Sequence, residues 1–505
     1  MTLPLINSIL SWLLKKRKHQ IELFLKYPVE VQNEQLLKLL KTANKTSYGK
    51  QYQFKKIKNY QEFVEKVPLV NYEQLSPYIE EQRTTGQAIL WSNKIKWYAK
   101  SSGTTNAKSK FIPVSEDAIK LCHFKGGKDM LTLFFNNNQE ANLFSGKNLR
   151  LGGSSAVYED NDAYFGDLSA IIIENMPLWA DFSSAPKQET ALMSEWESKM
   201  DAIIKETVNE NITSLAGVPS WMLVLLERVL LHTGKQNILE VWPNLEVYFH
   251  GGVNFSPYKE QYKKLIPSDK FKYYETYNAS EGFFAIQDQN HSDELLLMLD
   301  YGIFYEFIPM DAYRSINSTT VSLADVELGK NYAMVITTNA GLWRYIIGDT
   351  IKFTSLSPHR IKITGRTKHF INAFGEELIM ENASHALKVA CQATQALIKE
   401  YTAAPIFMDH QQKGGHEWLI EFEQMPNDLQ TFVHSLDHAL KAINSDYEAK
   451  RYNNMTLSMP TLTLAEKNQF HHWLKSKNKL GGQHKVPRLF NDRTFIDEIK
   501  ACKPI

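Results

Sequence analysis

The stretch Lys100–Lys110, reading Lys-Ser-Ser-Gly-Thr-Thr-Asn-Ala-Lys-Ser-Lys, constrains this chain more than any other feature. It lies between Ile95–Ala99 and Phe111–Val114, two short apolar runs that read as strands. A loop of small hydroxyl residues with one glycine can turn its backbone N–H groups and its Ser/Thr hydroxyls toward a single point. Lysines at both ends add positive charge. Convergent donors, close backbone approach and a mobile ammonium are what a polyphosphate needs. The plain alternative is a surface turn, since such compositions are common in loops.

Size and charge set the frame for that loop. A chain of 505 residues is too long for one compact core, so two or more domains are expected. With 57 basic against 56 acidic residues the formal charge is +1, and no Lys/Arg stripe carries interleaved aromatics, so a nucleic-acid partner is not expected. Cys122, Cys391 and Cys502 are scattered, odd in number and without metal-ligand spacing, which fits a reduced cytoplasmic protein. The most apolar helix-like run, Trp221–Leu231, is short and contains Glu227 and Arg228, so no stable membrane insertion is expected. At the N-terminus the apolar run Leu3–Leu14 precedes Lys15-Lys16-Arg17-Lys18, the reverse of a signal peptide, and reads as an amphipathic helix packing on the body.

Residues 1 to about 90 read as mainly helical. Glu34–Thr42 is one run, and Asn59 with Glu62 three residues on marks another helix start. From Ile95 to Phe353, short β-rich runs such as Leu245–Phe249, Lys272–Tyr274, Glu294–Leu299 and Tyr332–Thr338 alternate with helical stretches, among them Glu195–Val208 and Trp221–His232. This argues an α/β domain with substantial sheet. Ser355–Pro358 reads as a loop, and the segment from about Arg366 to Ile505 is long enough for a small α+β domain, with Glu417–Phe422 as a strand and Leu429–Ile443 as a helix.

Four further motifs share the chain with the first loop. They are Tyr273–Gly282 (Tyr-Tyr-Glu-Thr-Tyr-Asn-Ala-Ser-Glu-Gly), Gly341–Asp349 (Gly-Leu-Trp-Arg-Tyr-Ile-Ile-Gly-Asp), Ile363–Lys368 (Ile-Thr-Gly-Arg-Thr-Lys) and Gly481–Arg488 (Gly-Gly-Gln-His-Lys-Val-Pro-Arg). Their order and spacing resemble the adenylate-forming superfamily of acyl ligases and luciferases. The long form of the Gly341–Asp349 motif, and a first loop ending in Lys110 followed by an apolar pair and Pro113, are similar to the plant auxin- and jasmonate-conjugating acyl-acid amido synthetases and their bacterial relatives, among which the chain is expected to fall. The resemblance runs from about Tyr27 to the C-terminus. One departure is Ala107, where the family's phosphate loop usually has a second glycine.

The resemblance implies a luciferase-like α/β fold, with a large N-terminal adenylation domain over residues 1–365 and a small mobile α+β C-terminal domain over residues 366–505. It implies ATP and Mg2+ as cofactors and, as substrates, a small-molecule carboxylic acid and an amine, most simply an amino acid. An acyl-CoA or acyl-carrier ligase is the alternative, and a catalytically silent protein of the same fold a more distant one. Ser101, Ser102, Gly103, Thr104 and Thr105 would hold phosphates with Lys110 as charge partner, and Glu281 would carry the metal, a hard cation that takes only one or two protein carboxylates. Gly251, Gly252 and Tyr277 would face the adenine, Asp349 the ribose hydroxyls, and Ser280 and Arg366 complete the nucleotide set. Lys368 would be the hinge, and Lys485 the mobile lysine that reaches the α-phosphate. Arg344 is equally readable as an ion-pair partner within the fold. His410/His416 and His471/His472 lack companion ligands and read as structural. An apolar wall from Ile171, Ile172, Ile173, Met176, Trp179, Val218 and Trp221 is the expected acyl pocket, made of residues that serve equally well as core.

Overall fold

The computed structural model describes residues 17–101, 110–152, 158–160, 162–177, 181, 183–193, 195–253, 255, 258–367, 370–408, 413–452, 456–477 and 486–502. Ser102, Gly103, Thr104, Thr105, Lys368 and Lys485 lie outside them, as do Ala107, Trp179, His410 and the Leu3–Leu14 run.

The N-terminal part is helical. Pro28 occupies the first turn of a helix over Pro28–Ala43, where its missing N–H costs nothing, so the helix begins earlier than its apolar run suggests. Asn59 caps the Tyr60–Lys66 helix by accepting from the Glu62 amide, and Glu62 returns a bond from the Lys58 amide. Both features hold helices against a large sheet through one continuous core.

The strands in chain order are β1 (Trp97–Ser101), β2 (Lys110–Val114), β3 (Lys147–Leu151), β4 (Tyr158–Asp160), β5 (Ala163–Gly166), β6 (Ser184–Ala185) and β7 (Ile212–Gly217). They continue as β8 (Val247–Gly251), β9 (Lys272–Ala279), β10 (Gly282–Ile286), β11 (Leu295–Leu297), β12 (Ile303–Pro309), β13 (Asn331–Thr338), β14 (Tyr345–Leu356) and β15 (His359–Arg366). Among the described residues β2-β1-β5-β4 form a small sheet, and an eleven-stranded sheet runs β12-β13-β14-β15-β11-β10-β9-β8-β7-β3-β6. Its β6-β3-β7-β8-β9 portion is parallel. Parallel strands with helices on both faces put their carboxyl ends along one edge, the usual place for ligands in such sheets. Here those ends are Leu151, Gly217, Gly251 and Ala279. The expected loop at Ser355–Pro358 is much shorter than read: β14 continues to Leu356 and turns directly into β15, pairing Leu356 with His359.

The smaller C-terminal part contains β16 (Phe370–Ile371), β17 (Leu378–Ile379), the helix Met380–Thr394, β18 (Leu397–Ile406), β19 (Gly415–Gln424), the helix Leu429–Ile443 and β20 (Thr461–Leu464). It shares a hydrophobic core with the Trp196–Thr207 and Pro219–Thr233 helices, and Tyr258 Oη donates to the Ala373 carbonyl at 2.7 Å. The chain is thus a mixed α/β protein with a large N-terminal and a smaller C-terminal domain. Among the described residues no helix is long and apolar enough to cross a membrane.

Candidate functional site

The β9–β10 hairpin pairs Ala279 with Gly282, so Ser280 and Glu281 form its two-residue turn at the carboxyl edge of the parallel strands. Three residues before that turn begins, Tyr277 faces the core, 5% exposed, and its hydroxyl donates to Asp349 Oδ2 at 2.7 Å. Asp349 on β14 lies directly opposite Arg366 on β15. Arg366 Nε donates to Asp349 Oδ1 at 2.7 Å, and its Nη2 lies 3.5 Å from Glu377 Oε1. Asp349 is 8% exposed, and both its oxygens are engaged. Glycines with positive φ, Gly348 at 97° and Gly365 at 143°, precede both members of the pair and let two strands bend where a charged pair must be buried.

The small sheet brings a cation to the same place. Ser101 pairs with Lys110 across the antiparallel β1 and β2, so the two ends of the Ser/Thr-rich stretch lie side by side. The Lys110 ammonium lies 5.7 Å from the Tyr72 ring, whose hydroxyl accepts from the Phe111 amide at 2.8 Å. Lys110 is near enough to Glu281 to act on its ionisation. Burial pushes the Glu281 carboxyl up from 4.5 to about 6, with Lys110 and Arg366 pulling it down and Asp349 pushing it up. No hydrogen bond from another described side chain reaches the Glu281 carboxylate. Tyr277 and Tyr345 are both held well above the ordinary phenol range, first by burial and then by Asp349 and Glu281 respectively. Burial opposes the charge on Arg366, yet Glu377, Asp349 and Glu281 outweigh it and raise the guanidinium further.

A partly buried carboxylate that no other described side chain hydrogen-bonds, influenced by a nearby lysine and an Arg–Asp pair, suits one hard cation shared with a polyphosphate. Among the described residues no cluster of three or more His, Cys, Asp or Glu could hold a metal ion.

The remaining expectations divide. A Cβ at Gly251 would collide with the Thr276 carbonyl oxygen, and Gly252 has a φ of 83°, so both glycines serve close strand approach and a left-handed turn at the end of β8. Arg344 is an ion-pair residue within the fold: it binds Glu306 at 2.8 Å, the Val67 carbonyl at 2.7 Å and Thr320, all buried. His416 pairs with Glu376 at 2.8 Å, buried and structural as expected. The proposed acyl wall is split, because Ile171 belongs to the core shared with the N-terminal helices whereas Val218 and Trp221 pack against the second core.

Several residues carried no sequence signal for the roles they play. Tyr72 and Glu377 lie outside the motif positions that carry the expected roles, and Tyr345 lies inside a quoted motif without an assigned role. Cys122 holds the chain just after the Glu281 turn: its sulfur accepts from the Phe283 amide at 3.2 Å and lies 3.7 Å from the Phe283 carbonyl. It sits in a π-helical turn, Ile119–His123, whose extra residue redirects the side chains that follow.

The GH3 family N-terminal domain matches residues 17–271, the GH3 family central domain residues 296–366, and the GH3 family C-terminal domain residues 381–494. The chain belongs to the GH3 family. Among curated relatives, the indole-3-acetic acid-amido synthetase GH3.4 of Arabidopsis thaliana is 24% identical, over 93% of this chain and 90% of the relative. The 4-substituted benzoates-glutamate ligase GH3.12 of the same plant is 21% identical, over 94% of each. The jasmonoyl-L-amino acid synthetase JAR6 of Nicotiana attenuata is 24% identical, over 91% of this chain and 90% of the relative. In fold this GH3 protein is similar to the AtGH3.15 acyl acid amido synthetase solved with 2,4-DB, with a TM-score of 0.60 at 15% identity over 94% and 93% of the two chains. It is also similar to a 2-hydroxyisobutyryl-CoA ligase solved with 2-HIB-AMP and CoA, with a TM-score of 0.57 at 13% identity over 94% and 93%.

Proposed function

We propose that this GH3 protein is an ATP-dependent acyl-acid amido synthetase. A carboxylate oxygen of the acid attacks the α-phosphorus of ATP, the bond to the β-phosphate oxygen breaks, and pyrophosphate leaves acyl-AMP. An amine nitrogen, most simply the α-amino group of an amino acid, then attacks the acyl carbon. The amide forms, the amine loses a proton, and AMP departs. Both steps ask the protein to align reactants and to neutralise charge building on phosphate oxygens.

The observation that carries this reading is the Glu281 carboxylate, which no other described side chain hydrogen-bonds, within the electrostatic reach of Lys110 and of the Tyr277–Asp349–Arg366 cluster. Glu281 would hold Mg2+, which when bound shares the charge of the phosphate oxygens. Lys110 balances the pyrophosphate, together with Ser101, Ser102, Gly103, Thr104 and Thr105. Asp349 receives the ribose hydroxyls, and Arg366 and Tyr277 fix its carboxylate for that purpose. Gly251, Gly252, the Tyr277 ring and Ser280 form the adenine side. Lys485 approaches the reacting phosphate from the C-terminal domain, residues 366–505, which turns on Lys368 against the domain of residues 1–365. A place among the family's bacterial members and a cytoplasmic location accompany the reading.

The test is pyrophosphate release with ATP and magnesium over a panel of carboxylic acids, with amino acids or coenzyme A added in turn. Acid-dependent release with an amide product by mass supports the synthetase. A thioester product with coenzyme A replaces the second step, and release without acid rejects the reading.

A further inference from the structure

Arg150 stands on β3, paired with Ala216 of β7, which pairs with Phe249 of β8, which pairs with Tyr274 of β9. Phe249 and Tyr274 pack on Phe134 of the Phe124–Asn137 helix with Ala216 at the margin of the same cluster, so this row faces that helix near the carboxyl ends of the strands. Arg150 is 7% exposed. Its Nη2 binds Asp181 at 2.8 Å, its Nη1 points at the Met176 thioether at 2.8 Å, and its Nε is buried with no partner. A guanidinium donates five hydrogen bonds and cannot lose its charge. Here one N–H faces a sulfur, a weak acceptor, and another has no hydrogen-bond partner among the described residues. A buried donor left unpaired is costly, so this position favours an oxygen acceptor.

We propose that Arg150 reads a second, neutral oxygen at the far end of the acyl acid, a hydroxyl or carbonyl. This rests on the adenylation reading above. Three strand spacings separate β3 from β9, about 14 Å in all, so Arg150 is too far from the hairpin bearing Glu281 to hold the reacting carboxylate. It meets the opposite end of the substrate, across an extended or aromatic spacer. Charge selects the class of oxygen: Asp181 already balances the guanidinium, and a second carboxylate would lie beside Asp181 uncompensated. Met176 is the adaptable partner that yields the position.

The experiment compares acids of matched length ending in methyl, hydroxyl or carboxylate. It reads kcat and KM for pyrophosphate release and, independently of turnover, the thermal shift each acid produces with AMP present. In the wild type the hydroxyl acid is expected to exceed both others in kcat/KM by about ten- to a hundredfold, chiefly through KM, as one hydrogen bond to a charged donor allows. Arg150→Met should bring the hydroxyl and methyl acids within about threefold of each other while the methyl acid is still turned over. Equal use of methyl and hydroxyl acids by the wild type, or an equal loss on every acid in Arg150→Met, overturns the proposal. Should Arg150→Met fail to fold, Asp181→Asn decides. Freed of its counter-charge, Arg150 should then favour the carboxylate acid over the hydroxyl acid, and an unchanged order overturns the proposal. If no acid releases pyrophosphate, the adenylation reading fails, and the order of thermal shifts still decides this one: largest for the hydroxyl acid supports it, equal or absent shifts reject it.

Discussion

Replacing Glu281 with glutamine removes the charge that the free protein holds at a cost. Burial raises this carboxyl from 4.5 to about 6. A carboxyl whose folded pKa is raised favours the protonated form in the folded state, so its contribution to stability is intact below about 4.5 and is lost as pH rises through about 6. The difference of about 1.5 pKa units corresponds to about 2 kcal/mol surrendered by pH 7.5. Glutamine resembles the neutral acid, so Glu281→Gln should be the more stable protein at pH 7.5, melting about 2 °C higher if the whole chain unfolds as one unit and more if its domain melts alone. At pH 5, where the wild-type carboxyl is mostly protonated, the difference should shrink to less than half. The same variant should lose at least about a hundredfold in pyrophosphate release, because a carboxamide is a poor magnesium ligand. Differential scanning calorimetry at the two pH values reads the first effect, and a pyrophosphate-release assay with magnesium ATP reads the second. A variant that melts below the wild type at pH 7.5, or by the same margin at both pH values, would refute the reasoning.

Arg344→Met should cost about 3–5 kcal/mol by stranding the wholly buried Glu306, and adding Glu306→Leu should restore most of it; chemical denaturation measures both, and a loss confined to the KM for ATP would argue against a structural role. Gly251→Ala should cost about 1–3 kcal/mol and weaken AMP binding in calorimetry, because the new methyl must push β8 from the Thr276 carbonyl; unchanged stability would show that the strands tolerate it. Lys485→Ala should abolish pyrophosphate release while leaving AMP affinity within about threefold of wild type, since a mobile point charge is needed in the transition state rather than in nucleotide binding; normal release would remove that assignment.

Asp349, Arg366, Glu281 and Lys110 stood out in the sequence because each falls within a motif. Their partnership did not. The Asp349–Arg366 contact depends on the β14–β15 register, which passes through two irregularities that no local pattern announces. Arg344 was left open between two roles because its partner Glu306 sits on β12, inside an apolar run with no motif of its own. Helix starts were readable where a side chain caps them, as at Asn59, and misplaced where a proline opens the first turn, as at Pro28. Apolar residues at helical spacing declare only that they pack inward, so the sequence could not show that Ile171 belongs to one core while the partly buried Trp221 packs against another. Arg150 drew no notice in the sequence, since an arginine in a strand signals nothing until its neighbours leave one N–H unpaired.

The central claim is that the chain activates a carboxylic acid as acyl-AMP. Turnover of an acid labelled with heavy oxygen in its carboxyl group, with ATP, magnesium and an amino acid, tests it most directly. The account predicts one labelled oxygen in the AMP released for each amide formed. Unlabelled AMP, or ADP with the label in inorganic phosphate, would contradict it.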